Sequence, residues 1–237
     1  MVVKHIEIKR AWQGAADCKN CSIRSSALFS DLNEEDFEKI HAPIIDLQYA
    51  PGELIYRQLE KAEHIYTLRK GFIKLLLSNV DGTQRIVRVI KQGDLFGMES
   101  LAENLYHHSA IALEPVELCK IPSLEIGRLS ETSPRLNRQL MKKWSEVLSE
   151  SQTWFAQLNT GRADVRVARF LIRFSKEVNG VFESPLFRRE DLGLMMDLKF
   201  ETISRSLASL ADQGLIGVPT RYAVRIPSLE ALEKFCS

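Results

Sequence analysis

The segment between Ile44 and Ile121 alternates between short apolar runs and pairs of turn residues. The runs cover residues 65–68, 72–77 and 86–90. The turn pairs that separate them are Pro51-Gly52, Lys70-Gly71, Asp81-Gly82 and Gly93-Asp94. Short strands with a turn after roughly every 8 to 12 residues are typical of a β-barrel or β-sandwich. Asp81-Gly82, flanked by apolar segments, also predicts a β-hairpin.

The spacing of the apolar residues changes after Pro134. Residues 135–160 contain neither glycine nor proline, and large residues recur there at intervals of three and four. This period predicts a helix of about 25 residues and roughly 37 Å. Such a stripe is typical of a helix that pairs with a partner, although the alternative is a helix lying across its own β-structure. We predict a homodimer contact through Leu136, Leu140, Trp144, Val147, Trp154 and Leu158.

The last third of the chain predicts a separate domain. Asn159-Thr160-Gly161 interrupts the long helix, and a second helical segment follows at residues 165–174. Beyond it we expect a helix, a turn, a helix and two short strands around Pro219-Thr220. The predicted segments are a cysteine-containing leader (1–30), a β domain (31–133), the long helix (134–160) and a C-terminal domain (161–237).

Composition limits the class of protein. The chain is 45% hydrophobic and 27% charged, as in a soluble globular protein. It contains no apolar run of the roughly 18 residues that a membrane span requires, and its charged N-terminus does not resemble a signal peptide. We therefore expect a cytoplasmic protein without a membrane partner. With 32 basic and 31 acidic residues, any DNA-binding surface has to be local.

Residues 189–216 contain the most informative pattern. Ile203, Leu207 and Leu210 share one face of a predicted helix, and the opposite face carries Glu201, Ser204, Arg205 and Ala208. A recognition helix requires this arrangement, because arginine matches guanine and glutamate accepts a hydrogen bond from cytosine. The alternative is an ordinary surface pair of Glu201 and Arg205 one helical turn apart. Spacing alone leaves both interpretations open.

The run from Glu201 to Arg205, followed by Leu207, Leu210 and Gly214-Leu215-Ile216, resembles the winged helix-turn-helix of the Crp/Fnr transcription regulators. The similarity is greatest to the oxygen-responsive Fnr branch, and it implies that Glu201, Ser204 and Arg205 read the operator. It extends over almost the whole chain. The β segment resembles the family's sensory β-roll, residues 136–158 its dimer helix, Thr160-Gly161-Arg162 its hinge and residues 222–226 its wing.

This resemblance implies an α+β fold with an N-terminal cyclic-nucleotide-binding-like β-roll, a long dimerisation helix and a C-terminal winged helix-turn-helix. The function it implies is that of a non-enzymatic transcription regulator, and specifically of an activator. The protein is expected to bind an inverted-repeat DNA operator as a homodimer and to have RNA polymerase as a partner. The signal is expected to be redox, oxygen or a small molecule.

Lys199 departs from the family pattern, which has serine or threonine at this position as a helix cap. Losing a cap costs on the order of 1 kcal/mol, and a cation at a helix N-terminus opposes the dipole. Two explanations for a lysine at this position stay open. Either Asp197 caps the helix instead, or Lys199 contacts a DNA phosphate. The expected DNA-binding set is Lys199, Glu201, Thr202, Ser204 and Arg205.

The region that would hold a cyclic nucleotide in this family is also altered. The chain has Gly97-Met98-Glu99 and then Tyr106-His107-His108-Ser109, with no arginine from Gly97 to Lys120. A cyclic phosphate would lack its charge-assisted partner, so cyclic AMP is not the expected effector. We interpret His107 and His108 as solvated loop residues rather than haem or metal ligands.

The chain has four cysteines. By resemblance to the Fnr branch, Cys18, Cys21 and Cys119 match ligands of an iron–sulfur cluster, which usually has four thiolates. The third N-terminal ligand is absent, since Ala27 and Phe29 occupy its place. The candidate replacements are Asp17, Ser22, Ser25, Ser26 and Cys236. Three interpretations stay open: a relic without metal, a cluster with an unusual fourth ligand, and thiol or zinc chemistry.

Two further functions compete with that of a regulator. A thiol oxidoreductase would place its Cys-x-x-Cys pair at a helix start within a βαβ unit, and no such unit surrounds Cys18. An effector-binding β-roll module without DNA activity would retain the same fold. Binding to a palindromic operator distinguishes that module from a regulator.

Overall fold

The computed structural model describes residues 44–220 and 222–237. The chain forms two compact units, the first ending at Leu148 and the second covering Ser149–Ser237. This division falls inside the long helix, whereas the sequence predicted that helix as a segment of its own. The predicted leader, residues 1–30, lies outside the described residues.

The described part of the first unit contains eight strands, all paired antiparallel. Their bounds are β1 (Ile45–Tyr49), β2 (Leu54–Tyr56), β3 (His64–Lys70), β4 (Ile73–Ser78), β5 (Gln84–Ile90), β6 (Leu95–Phe96), β7 (Ser109–Ala112) and β8 (Val116–Pro122). They form two four-stranded sheets, with strand orders β1-β8-β3-β6 and β2-β7-β4-β5. The β fold predicted for this part of the chain is confirmed, whereas the predicted domain bounds, 31–133, stay a prediction.

The predicted hairpin at Asp81-Gly82 is confirmed as the connection between β4 and β5. The pairing runs out to Ser78 opposite Gln84. One carboxylate oxygen of Asp81 accepts hydrogen bonds from the backbone N–H and the hydroxyl of Thr83, at 2.9 and 2.7 Å. A short polar side chain therefore stabilises the turn locally.

Stacked aromatic side chains fill part of the β-roll. The rings of Tyr56 and Tyr106 are 3.8 Å apart between centroids, and Tyr66 and Phe96 are 5.1 Å apart. All four side chains are buried. The hydroxyl of Tyr106 donates to the His64 carbonyl at 2.8 Å, which satisfies the polar end of the ring.

Helix α1 (Ser123–Thr132) follows β8 directly, and helix α2 (Pro134–Leu158) matches the predicted long helix within two residues at its end. The two units bury different parts of α2. In the first unit, Leu136 and Leu140 lie in the hydrophobic core with Val147 packed against it. In the second unit, Trp154 is buried and its ring meets that of Phe174 edge-on.

The second unit continues with further short elements. They are α3 (Ala163–Phe174), β9 (Lys176–Val178), β10 (Val181–Pro185), α4 (Arg189–Met196), α5 (Phe200–Asp212), β11 (Ala223–Ile226) and α6 (Leu229–Phe235). The three strands form one antiparallel sheet in the order β11-β10-β9. No helix in the described part of the chain is both long and apolar enough to span a membrane.

The prediction of two strands around Pro219-Thr220 was wrong in one respect. Only β11 follows Thr220, and its sheet partner is β10, which precedes the helix pair. The segment before Thr220 makes only isolated backbone bonds, including one from Gly217 N–H to the Arg225 carbonyl at 2.8 Å. The hairpin turn at Asn179 and Gly180, both with positive φ, positions β10 beside β9. The other edge of β10 pairs with β11.

A close approach fixes the turn between α4 and α5. Asp197 ends α4 in the left-handed conformation (φ 52°), and the Leu198 N–H donates to the Gly193 carbonyl at 3.1 Å. A Cβ added to Gly193 would lie 2.6 Å from the Leu198 carbonyl oxygen. Only glycine therefore fits at position 193 without moving the turn.

Substitution of the two helical glycines tests this packing. We expect Gly193→Ala to destabilise the C-terminal unit by about 1–3 kcal/mol, because a methyl group would collide with backbone. The matched control is Gly127→Ala in α1, where an added Cβ meets nothing within 4 Å. That change is expected to be neutral or to stabilise by up to about 1 kcal/mol. Urea unfolding of both variants measures the difference, and equal stability would contradict the predicted collision.

Candidate nucleic-acid interface

Helix α5 separates a buried side from an exposed side, as predicted. Ile203 and Leu210 are completely buried, and Leu207 is 2% exposed. On the opposite side Glu201, Arg205 and Ala208 are exposed, one helical turn apart in succession. Ser204 and Thr202 are partly exposed beside them. The structure thus presents a carboxylate, a guanidinium and a hydroxyl on the accessible side of one helix.

Lys199 is the N-cap of α5, and its side chain makes no capping hydrogen bond. In the first turn of α5 the Ile203 N–H donates to the Lys199 carbonyl at 3.1 Å. Asp197 is the C-cap of α4, and its role as the substitute cap of α5 stays a prediction. Glu201 in the first turn places a carboxylate near the positive end of the helix dipole.

The sheet beside the helix pair carries the predicted wing. Residues 223–226 form β11, and Tyr222 next to it is 71% exposed. The Arg225 guanidinium donates to the Glu183 carboxylate on β10 at 3.1 Å, which ties the two strands together by their side chains. An exposed aromatic residue and a cation on a short strand are groups that suit contact with a phosphate backbone.

Arg188 and Arg189 add two cations that were not predicted from the sequence. Arg188 is the exposed N-cap of α4, and Arg189 is the first residue of that helix. Burial lowers the pKa of Arg189 somewhat from its ordinary value, although the group stays charged at neutral pH. The sequence did contain an indication of this site, because two adjacent arginines immediately before a helix-turn-helix supply local positive charge in a chain with little net charge.

The predicted dimer stripe on α2 needs correction. Leu136, Leu140, Trp154 and Leu158 are at most 9% exposed, because they pack inside the protomer and are not free to meet a partner. Val147 is partly buried against the first core. Of the predicted set, Trp144 remains outward, at 41% exposed. The outward apolar side consists of Met141, Trp144, Leu148 and Phe155, which we call the open stripe.

The described residues do not assemble a metal site. Cys119 on β8 donates through its thiol to Asp46 at 3.3 Å, and the Arg69 guanidinium holds the other carboxylate oxygen of Asp46 at 2.7 Å. No group of three or more candidate ligands occurs within residues 44–220 and 222–237. Cys236 belongs to the second unit and Cys119 to the first. Cys119 and its described neighbours therefore do not by themselves fit an iron–sulfur cluster.

The remaining candidate ligands lie outside the described residues. They are Cys18, Cys21, Asp17, Ser22, Ser25 and Ser26. The assignment of Cys18, Cys21 and Cys119 as cluster ligands therefore stays a prediction.

The residues that would contact a cyclic nucleotide make hydrogen bonds to one another. Gly97 adopts the left-handed conformation before a short 3-10 helix, Met98–Leu101. Glu99 accepts from the His107 backbone N–H at 3.3 Å, and the exposed His107 ring lies 2.6 Å from the Glu103 carboxylate. His107 is exposed as predicted, but the interpretation of His108 as a solvated residue was wrong, because it is partly buried and this burial lowers its pKa. Neither histidine belongs to a group of three metal-ligating residues in the described chain.

Comparisons with known proteins agree with this architecture. Residues 46–133 match the model of the cyclic nucleotide-binding domain, and residues 165–235 match that of the Crp-like helix-turn-helix domain. The transcriptional activator protein Anr of Pseudomonas aeruginosa is 28% identical over 221 residues, covering 91% of each chain. The fumarate and nitrate reduction regulatory protein of Salmonella typhi is 29% identical over 234 residues, covering 95% of this chain and 93% of the relative.

Among solved structures, FixK2 from Bradyrhizobium japonicum superposes with a TM-score of 0.75 at 23% identity. The match covers 83% of this chain and 98% of FixK2, and it shows the shared fold. The β-roll, the long helix and the winged helix-turn-helix define a DNA-binding transcription regulator. The chain belongs to the Crp/Fnr family, whose members are normally non-enzymatic.

The missing cap at Lys199 leads to a stability prediction. We expect Lys199→Ser to stabilise the C-terminal unit by about 1 kcal/mol, because serine provides a capping oxygen and the opposing cation is removed. Lys199→Ala is the control that removes the cation without adding a cap, and it should recover only part of the gain. Thermal unfolding compares the two variants. Equal effects of serine and alanine would mean that the α5 cap does not limit stability.

Proposed function

We propose that the protein binds an inverted-repeat, Fnr-like operator as a homodimer and regulates transcription with RNA polymerase as a partner. The observation that carries the proposal is the exposed pair of Glu201 and Arg205 on the open side of α5. The opposite side of the same helix is fully buried, so the orientation of this pair is set by the core.

The chemistry of the exposed side suits base reading in a major groove. Arg205 provides a guanidinium fork for the acceptor edge of guanine, and Glu201 provides an acceptor for the amino group of cytosine. Ser204 is adaptable, because a hydroxyl both donates and accepts. Lys199 and Thr202 at the start of the helix are proposed to meet phosphate oxygens, which position the protein without reading sequence.

The open stripe supports the homodimer. Met141, Trp144, Leu148 and Phe155 are spaced by three, four and seven residues, which places them on one side of α2. Each is between 41% and 69% exposed in the protomer. Large apolar side chains aligned in this way favour pairing with the same helix of a second copy, because the contact removes them from water. Two copies of α5 would then face two operator half-sites.

The signal is proposed to be something different from a cyclic nucleotide. Besides the missing arginine between Gly97 and Lys120, the aromatic stack already occupies part of the roll. The nearby guanidinium of Arg88 is engaged by Asp94 at 3.4 Å and by the Leu95 carbonyl at 3.2 Å. A redox, oxygen or small-molecule signal remains the proposal. The iron and zinc content of protein purified without oxygen distinguishes an iron–sulfur cluster from a zinc site and from a chain without metal.

Loss of the Arg205 guanidinium should weaken sequence reading. We expect Arg205→Ala to reduce operator affinity by about 1–3 kcal/mol and to relax the preference at one base pair in each half-site. Lys199→Ala is the control, because loss of a phosphate contact weakens all sequences similarly and lowers the salt dependence. Fluorescence anisotropy with a TTGAT inverted repeat and single-base variants measures both. An Arg205→Ala protein with unchanged base preference would contradict the proposed reading.

A charge in the open stripe should disrupt the dimer. Leu148→Glu is expected to raise the dimer dissociation constant by roughly 100-fold, because it would bury a carboxylate without a partner. Lys142→Glu, an exposed position off the stripe, is the control and should leave the dimer intact. Analytical ultracentrifugation at micromolar protein concentration measures the oligomeric state of both variants. A dimeric Leu148→Glu protein would place the interface elsewhere.

A further inference from the structure

A groove of about 420 Å³ in the second unit has no α5 residue among its lining residues. Its walls come from the end of α2, the C-terminal half of α3 and the C-terminal end of α6 together with the residues that follow it. The lining residues are Thr153, Gln157, Arg169, Ile172, Arg173, Glu233, Cys236 and Ser237. The volume is that of a site for a small organic molecule.

We propose that this groove binds a small metabolite that carries more than one oxyanion group, either phosphate or carboxylate. Arg169 and Arg173 lie one turn apart on α3, so their side chains leave the helix on the same side. Guanidinium groups match the geometry of both phosphate and carboxylate oxygens. Two of them side by side favour a ligand with two anionic groups over a single small ion.

Arg169 has unused capacity for an anion. Its guanidinium donates one hydrogen bond, to the Cys236 carbonyl at 3.1 Å. None of the ion pairs among the described residues includes Arg169, although the side chain is only partly exposed. Glu233 also lines the groove, but it makes no ion pair with Arg169. A half-buried cation without an ion-pair partner gains from an incoming oxyanion, because water compensates it less than at the surface.

Arg173 is oriented by weak contacts rather than by a tight ion pair. Its nearest carboxylate oxygen, from Glu150, is 3.8 Å away, and its guanidinium carbon lies 5.8 Å from the centre of the Trp154 ring. Stacking against Trp154 leaves the edge of the guanidinium for further acceptors. Ile172 adds an apolar surface, and the amide of Gln157 adds both a donor and an acceptor.

Within the second unit, a bound ligand would connect the end of the long helix to α3 and to the residues after α6. Thr153 and Gln157 are on α2, whereas both arginines are on α3 and Cys236 follows α6. A ligand that contacts α2, α3 and the residues after α6 would hold the segment between α2 and α3, which contains Gly161, in one arrangement. This site is separate from base reading, so its test needs no operator.

The probes are inorganic pyrophosphate and citrate, each titrated separately into the full-length protein at low salt by calorimetry. We expect at least one to bind, with Arg169→Gln weakening that binding by about tenfold or more because a charge-assisted fork is lost. Arg169→Lys keeps the charge and should retain more binding than the glutamine variant. Binding of pyrophosphate alone would assign the ligand to phosphates, and binding of citrate alone would assign it to carboxylates.

Two charge-matched variants locate the bound anion. Arg205→Gln changes the exposed side of α5, and Arg128→Gln changes α1 in the first unit, so both should bind the probe within about twofold of the unmodified protein. Loss of binding in Arg205→Gln with no loss in Arg169→Gln would overturn the proposal, because the anion would then lie on the DNA-binding side. Absence of binding for both probes would overturn it as well.

Cys236 provides a readout in the unmodified protein. Burial raises the pKa of its thiol, so alkylation by N-ethylmaleimide is slow and sensitive to coverage. A bound probe should slow modification of the Cys236 peptide by about fivefold or more while leaving that of Cys119 unchanged, as measured by mass spectrometry. A probe that binds without protecting Cys236 would contradict a site in this groove, even if the variants fail to fold.

Discussion

The geometry of the exposed side of α5, the proposed DNA-binding surface, depends on the approach of the Leu198 carbonyl to the α-carbon of Gly193. A side chain at Gly193 would come within 2.6 Å of that oxygen, so the chain can turn here only past a glycine. Asp197 completes the turn in the left-handed conformation, which short polar residues tolerate. Because α5 begins directly after this turn, the direction in which Glu201 and Arg205 point follows from a backbone constraint several residues earlier.

Helix α2 contributes side chains to two hydrophobic cores and still leaves one side exposed. Leu136 enters the first core and Leu158 the second, and both are completely buried. The Arg166 guanidinium donates to the Leu158 carbonyl at 2.8 Å, which satisfies an acceptor at the end of the helix. The side that remains, the open stripe, is the part available to a second copy.

Turn spacing predicted a β-barrel or sandwich, and three-to-four spacing predicted the long helix, because burial imposes these periods. The β-roll and the winged helix-turn-helix were identified through the resemblance to the Crp/Fnr family. The buried and open sides of α2 could not be separated from sequence, since Leu140 and Met141 are adjacent, equally apolar and differ only in which side the core covers. Asn179-Gly180 is a recognisable hairpin signal, although the β9–β10 hairpin was not predicted. The role of Asp197 depends on its backbone conformation, which composition does not reveal.

Selection from a random pool of double-stranded DNA tests the central claim most directly, because it assumes no operator. If Glu201 and Arg205 read bases on two copies of α5, the enriched sites should be inverted repeats. Their half-sites should resemble TTGAT and its complement, with centres about one helical turn apart. Enrichment of unrelated single sites, or no enrichment at all, would contradict the account of this protein as a dimeric, sequence-reading regulator.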